Sequence, residues 1–175
     1  YIVLFKWLFF SGCRIGEALA LQVRDFDERE KTISITKTAS NKCGTGRVEI
    51  GTPKTKASYR TIELSDEMCG LFVKLIHDFG MTDKDFIFFG KERPMGVTEV
   101  RRRFNVHTKA AHLPHIKIHE IRHSNNTWLI NDHHSPSEIE AITKRLGRSS
   151  VKVTLDTYYH SVGDVQKTLI NNLKI

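Results

Sequence analysis

The sequence predicts an α+β domain that is mainly α, with a small antiparallel three-stranded sheet near its N-terminus. Three observations lead there. Apolar residues recur at helical spacing in several segments that also carry cap and stop residues. Alternating β-branched residues are confined to three short runs between positions 32 and 64. The chain has 175 residues, 39% hydrophobic and 27% charged, about one domain's worth, with no internal repeat, low-complexity tract or long linker.

Taken in order, residues 1–21 read as two helices broken at Ser11 and Gly12, with Ser11 as N-cap of the second. The opening run YIVLFKWLFF is too short to cross a bilayer, and Lys6 interrupts it. It lacks a basic leader and a small-residue cleavage site, so it reads as a buried helix rather than a signal peptide. It starts without a cap or a methionine, and we expect a longer parent protein. Strands are predicted at 32–36, 47–50 and 59–64, with a basic turn over 51–56. Ser65, Asp66 and Glu67 start a helix whose apolar positions are Leu71, Phe72, Leu75, Ile76 and Phe79. Residues 86–89 are a short apolar strand or loop. Helices follow at 97–111, which contains Arg101, Arg102 and Arg103, and at 118–130. Ser135, Pro136 and Glu138 form a strong helix start, and Gly147 a stop. Ser149 or Ser150 caps a short helix reaching Tyr158 and Tyr159, and a last helix is predicted over 164–173.

Lys and Arg total 27 against 20 Asp and Glu, a formal net charge of +7. That balance suits a polyanion, nucleic acid first and an anionic membrane surface second. The odd cysteine count (Cys13, Cys43, Cys69) has no paired spacing and argues for a reducing compartment.

Breaking a phosphodiester without a metal needs a nucleophile, stabilisation of charge on the phosphoryl oxygens, and groups that move two protons. Arginine suits the second task, because its fork matches two phosphate oxygens and it stays charged. Those parts occur here in order. They are SGCRIGEAL at 11–19, TPKTKASYR at 52–60, HEIRHS at 119–124, LGRSS at 146–150 and TLDTYYH at 154–160. Together these segments resemble the motifs of the tyrosine recombinase family, phage and transposon integrases, over residues 11–160. The resemblance implies that family's helical catalytic domain, in which a tyrosine cuts DNA through a 3′-phosphotyrosyl bond.

The roles it implies fall on matching positions. Arg14 and Arg122 clamp the scissile phosphate, and Glu17 orients Arg14. Lys54 protonates the leaving 5′ oxygen, His119 assists removal of the tyrosine proton, and Tyr158 attacks. Tyr159 is adjacent, but the pattern places the nucleophile after a threonine and two residues before a histidine, which selects Tyr158. Lys56 shares the hairpin with Lys54; the Lys-Thr match selects Lys54. Arg148 departs from the usual histidine, and as a retained donor it is a candidate third phosphate ligand. Arg101, Arg102, Arg103, Lys56 and Lys152 are candidate DNA-backbone contacts. The resemblance further implies no cofactor and no metal. Its partner is double-stranded DNA at attachment sites. It implies a homotetramer that exchanges the C-terminal tail, residues 163–175, and a separate core-binding domain. It implies a cytoplasmic protein of a phage or mobile element, with no membrane partner.

Two other readings compete. His119, Glu120 and His123 spell the H-E-x-x-H zinc-protease signature, within a stretch that also holds His107, His112, His115, His133 and His134. That reading leaves Arg14, Lys54 and the tyrosines unexplained. A DNA-binding module that has lost catalysis is the other, supported by Arg148.

Overall fold

The computed structural model describes residues 1–42, 47–53, 55–88, 93–132 and 135–162, the last six of these by their backbone alone. Helices dominate, as expected. Helix α1 (Ile2–Ser11) buries Leu4, Trp7 and Leu8, so one face of the apolar opening run is core, while Ile2 and Phe9 are exposed. Gly12 ends it with φ of 59°, its amide donating to the Leu8 carbonyl. Ser11 is not the next cap. It sits in the last turn of α1, where its hydroxyl donates to the Trp7 carbonyl at 2.7 Å and accepts from the Cys13 amide. The short helix α2 (Ile15–Leu19) starts instead at Arg14, whose amide is taken by the Glu17 carboxylate at 2.9 Å.

The three-stranded sheet differs from expectation in membership. Its strands are β1 (Phe26–Asp27), β2 (Thr32–Ile35) and β5 (Arg60–Glu63), antiparallel in the order β1-β2-β5. Ile33 lies opposite Ile62, and both are buried with Ile35. The run predicted at 47–50 is β4 (Val48–Gly51), which pairs with β3 (Thr38–Asn41) in a separate hairpin. The reason is β3 itself. Its sequence Thr, Ala, Ser, Asn buries only Ala39, so it lacks the apolar alternation that marks a half-buried strand.

Helix α3 (Asp66–Asp78) begins where Ser65 Oγ accepts from the Met68 amide, and it buries Met68, Cys69 and Phe72. Phe86 makes an isolated bridge to Gln22. Helices α4 (Val97–Ala110), α5 (Glu120–Asp132), α6 (Pro136–Arg145) and α7 (Val151–Val162) complete the described chain. The predicted capping box of α6 is present, with Ser135 and Glu138 exchanging bonds, and Gly147 follows with φ of 62°. Position 89, Cys43, His133, His134 and the helix expected over 164–173 lie outside the described residues.

Two cores result. The larger joins α1, α2, β2, β5, α3 and α4 around Trp7, Phe72 and Phe88. The smaller joins α5, α6 and α7 around Ile130, Ile139, Ile142 and Leu146. The candidate site lies on the seam between them.

Candidate active site

The site begins at the corner between α1 and α2. A Cβ on Gly12 would fall 2.4 Å from Asn125 Oδ1 and 2.5 Å from a Leu146 methyl. Glycine here therefore does two things: it adopts a positive φ and lets α5 and the end of α6 approach the corner. Arg14 leaves that corner with about half its side chain in solvent, while Glu17 is 2% exposed. The buried carboxylate binds Arg14 twice, at its amide and through Nη1 at 2.8 Å. Burial works against the Glu17 charge, but Arg60 and Arg14 outweigh it and hold its pKa below the ordinary carboxylate range.

Arg122 comes from the first turn of α5 and is almost fully buried. Its Nη1 donates to the Gly12 carbonyl and its Nη2 to the Leu146 carbonyl, each at 2.6 Å. One guanidinium thus ties the α1–α2 corner to the end of α6. Burial, with Arg14 next, brings its pKa down to about 10. Arg148 is half-buried beyond Gly147 and donates to the Val153 carbonyl at 3.1 Å and to Asn126 Oδ1 at 3.3 Å. Its pKa is lowered by burial and by Arg14. His119 stands one residue ahead of α5 rather than inside it. It keeps a solvent-exposed edge, yet partial desolvation, followed by His123, Arg122, Arg14 and Arg101, holds its pKa below 6.5. Its ring meets that of His123 edge to face at 5.1 Å.

Arg14, Glu17, His119, Arg122 and Arg148 are thus brought together from three segments of the sequence. Lys54 lies outside the described residues. Tyr158 is described by its backbone: it lies on α7, one helical turn beyond Thr154. Thr154 is buried, accepts from Thr143 Oγ1 at 2.9 Å, and receives the Asn126 amide on its carbonyl, so this part of α7 is anchored to α5 and α6. Lys56 and Lys152 are exposed. Arg102 and Arg103 are both paired with Glu99, and Arg103 lies over the Tyr1 ring. Arg101 has no ion pair among the described residues, and it is the one of the three close enough to act on His119.

Reading the sequence assigned no role to Arg60 or Ser58, and considered His123 only as a zinc ligand. Arg60 is 6% exposed and binds Glu17 Oε2 at 2.9 Å, the oxygen that the Arg14 amide also uses. Ser58 Oγ lies 3.4 Å from Arg14 Nη1. The one available signal was an arginine whose partner along β5, Ile62, points into the core.

The arrangement concentrates guanidinium charge. After burial, Arg14, Arg148 and Arg60 lower the pKa of Arg122 and Arg14 lowers that of Arg148, and Glu17 is the carboxylate among them. Cations packed with one buried counter-charge repel each other until an anion arrives, so the pocket suits a phosphate. It does not suit a zinc ion. His119 and His123 sit in the field of Arg122, and Glu120 accepts from the Lys117 amide to close the turn before α5. Among the described residues no three His, Cys, Asp or Glu side chains gather as metal ligands.

Comparison with known proteins gives a consistent result. The model of the phage integrase family matches residues 2–163. The ICEBs1 integrase of Bacillus subtilis is 30% identical over 174 residues, which is 94% of this chain and 46% of that protein. The integrase of Staphylococcus phage L54a is 29% identical, over 94% of this chain and 49% of its own. The chain therefore spans about half the length of these relatives. In fold it is similar to the Tn1549 transposon integrase, solved in complex with transposon right-end DNA. That match has a TM-score of 0.78 at 24% identity and covers 98% of this chain and 58% of that one. The recombinase XerA superposes with a TM-score of 0.69 at 18% identity, over 97% and 55% of the two chains.

Proposed function

The chain belongs to the phage integrase family, and from that premise we propose that it is the catalytic domain of a site-specific DNA recombinase. The single observation that carries the proposal is the cluster of Arg14, Arg122 and Arg148, with His119 in the field of the first two and α7 anchored to α5 and α6. Its substrate is double-stranded DNA at attachment sites. Arg14 and Arg122 hold the non-bridging oxygens of the scissile phosphate, and Arg148 is a third donor. The Tyr158 oxygen bonds to phosphorus as the bond from phosphorus to the 5′ oxygen breaks. The tyrosine proton passes to His119, and Lys54 protonates the departing 5′ oxygen. The covalent link stores the energy for rejoining, so no cofactor takes part.

Tyrosine is a poor nucleophile at its ordinary pKa of about 10, so the base and the cationic field have work to do. A neutral imidazole is the form that accepts a proton, and its arginine neighbours favour that form. DNA-backbone contacts fall to Arg101 first and to Lys56 and Lys152. Arg102 and Arg103 join them by exchanging Glu99 for phosphate. Such contacts position the protein and carry no sequence information. On two DNA sites four copies assemble, each passing its tail, residues 163–175, to a neighbour. The setting is the cytoplasm of a host that carries the mobile element.

The test is a nicked suicide substrate carrying the protein's attachment site, incubated with the intact protein in EDTA. A covalent adduct that survives EDTA and disappears in Tyr158→Phe, but not in Tyr159→Phe, is expected. Absence of any adduct would favour a DNA-binding module without catalysis.

A further inference from the structure

Arg60 has no role in the chemistry above, yet its side chain bonds three separate parts of the site. Its Nη2 donates to Glu17 Oε2 at 2.9 Å, and Glu17 in turn holds Arg14. Its Nη1 donates to the Ser58 carbonyl at 2.9 Å, in the segment between β4 and β5. Its Nε donates to the Arg145 carbonyl at 2.7 Å, at the end of α6, three residues before Arg148. The chain then passes directly over the guanidinium. A Cβ on Gly147 would fall 2.8 Å from Arg60 Nη1, and Gly147 has φ of 62°. Glycine at 147 thus lets the backbone that leads to Arg148 rest on the Arg60 plane.

We propose that Arg60 is a positioning residue that sets the phosphate clamp, fixing Arg14 through Glu17 and the Arg148 segment through Arg145 and Gly147. It does not touch the phosphate. Its side chain is 6% exposed and each of its nitrogens is already engaged. The geometry needs a planar fork with donors on three sides. A lysine ammonium has one centre and lacks the fork that presents Nε to the Arg145 carbonyl and Nη2 to Glu17. Without the Arg60 fork, Glu17 keeps Arg14 as its sole cationic partner among those described here. Its negative charge then offsets the guanidinium meant for the phosphate.

The inference rests on the phosphate-clamp reading of the site, and its test separates the two. The intact protein and its Arg60→Lys variant are assayed on two suicide substrates. One carries the natural scissile phosphate. The other carries a methylphosphonate, in which a methyl group replaces one non-bridging oxygen and removes its charge. Cleavage is measured at saturating DNA, with DNA affinity and thermal unfolding measured alongside. On the phosphate, cleavage by Arg60→Lys is expected to fall about 30-fold, the scale of one lost charge-assisted contact in the transition state, with DNA affinity nearly unchanged. On the methylphosphonate, which asks less of the clamp, the deficit is expected to shrink to about 3-fold or less. A control variant destabilised in the large core, Leu4→Val, should show no such dependence on substrate charge. An equal deficit on both substrates, or none on either, would overturn the proposal. So would an Arg60→Lys chain that no longer folds, since Arg60 would then serve structure alone. If the unmodified protein forms no adduct with the phosphate substrate, the clamp reading itself fails and this inference fails with it.

Discussion

The large core packs aromatic against aromatic. Trp7 meets Phe72 edge to face at 5.3 Å, and Phe72 meets Phe26 and Phe88 at 5.6 and 5.9 Å. The small core has four buried aliphatic residues, with Leu129, Val151 and Leu155 packed against them. Such a core stabilises little by itself, since each fully buried aliphatic side chain contributes about 1.5–3 kcal/mol. Polar bonds reinforce the join, beside the Phe9–Trp128 ring contact at 6.2 Å and Ile121 of α5 in the large core. Arg122 binds Gly12 and Leu146, Arg60 binds Arg145, and Arg145 reaches the Phe10 carbonyl at 3.0 Å with its guanidinium 4.8 Å from the Phe10 ring. The difference teaches that the smaller side leans on the larger through arginine-to-carbonyl bonds as well as apolar contact. The same bonds align the groups proposed to hold phosphate. Weakening the seam should therefore cost activity before it costs the fold.

The largest effect is expected from Arg122→Lys. A single ammonium cannot serve both carbonyls and also face the phosphate. Cleavage should fall by about 10²–10³-fold, the scale of losing one oxyanion donor. Single-turnover cleavage checks this, with unfolding followed by circular dichroism. Glu17→Gln comes next. It leaves Arg60 buried without a counter-charge, which should destabilise the fold by about 3–5 kcal/mol at neutral pH. Because the folded-state pKa of Glu17 lies below its ordinary 4.5, its contribution is complete above that value and is lost as pH falls through the folded value. Urea unfolding at neutral and acid pH should show the gap between variant and parent closing in acid.

Cutting each core sharpens the comparison. Leu4→Ala and Ile142→Ala should each cost about 2–5 kcal/mol. In hydrogen exchange, Ile142→Ala should loosen α6 and α7 while α1 and α3 keep their protection, whereas Leu4→Ala should lower both sides. Gly147→Ala should cost about 1–2 kcal/mol from its positive φ, with a further loss of cleavage through displaced Arg60. The smallest effect is a position on a pH axis. His119 is held neutral by partial burial and by cations, so the acid limb of kcat/KM should have its midpoint below 6.5 and should change in His119→Gln. Stability should likewise fall as pH drops below 6.5, because the folded state resists protonating this ring.

Much of this was legible in the sequence. The helices announced themselves through period and caps, as Ser135, Pro136 and Glu138 show for α6. The arginines, His119 and Glu17 were legible as an ordered set of motifs, because each chemical task demands a particular side chain. What stayed hidden depends on three-dimensional closure. The strand β3 has no apolar alternation to reveal it, so the partner of β4 was missed. Ser11 has the chemistry of a cap, but Gly12 turns the chain one residue later and Arg14 takes that place. Arg60 is one arginine among many in sequence. Its meaning appears only when Glu17, Arg145 and Gly147 converge on it.

The measurement that bears most directly on the central claim is the identity of the residue joined to DNA. The trapped adduct, digested with protease and nuclease, would be mapped by mass spectrometry. A phosphonucleotide on Tyr158, formed in EDTA and absent when Arg122 is replaced by lysine, is the predicted result. A phosphonucleotide on Tyr159 or on another side chain, or an adduct that Arg122→Lys leaves undiminished, would contradict the account.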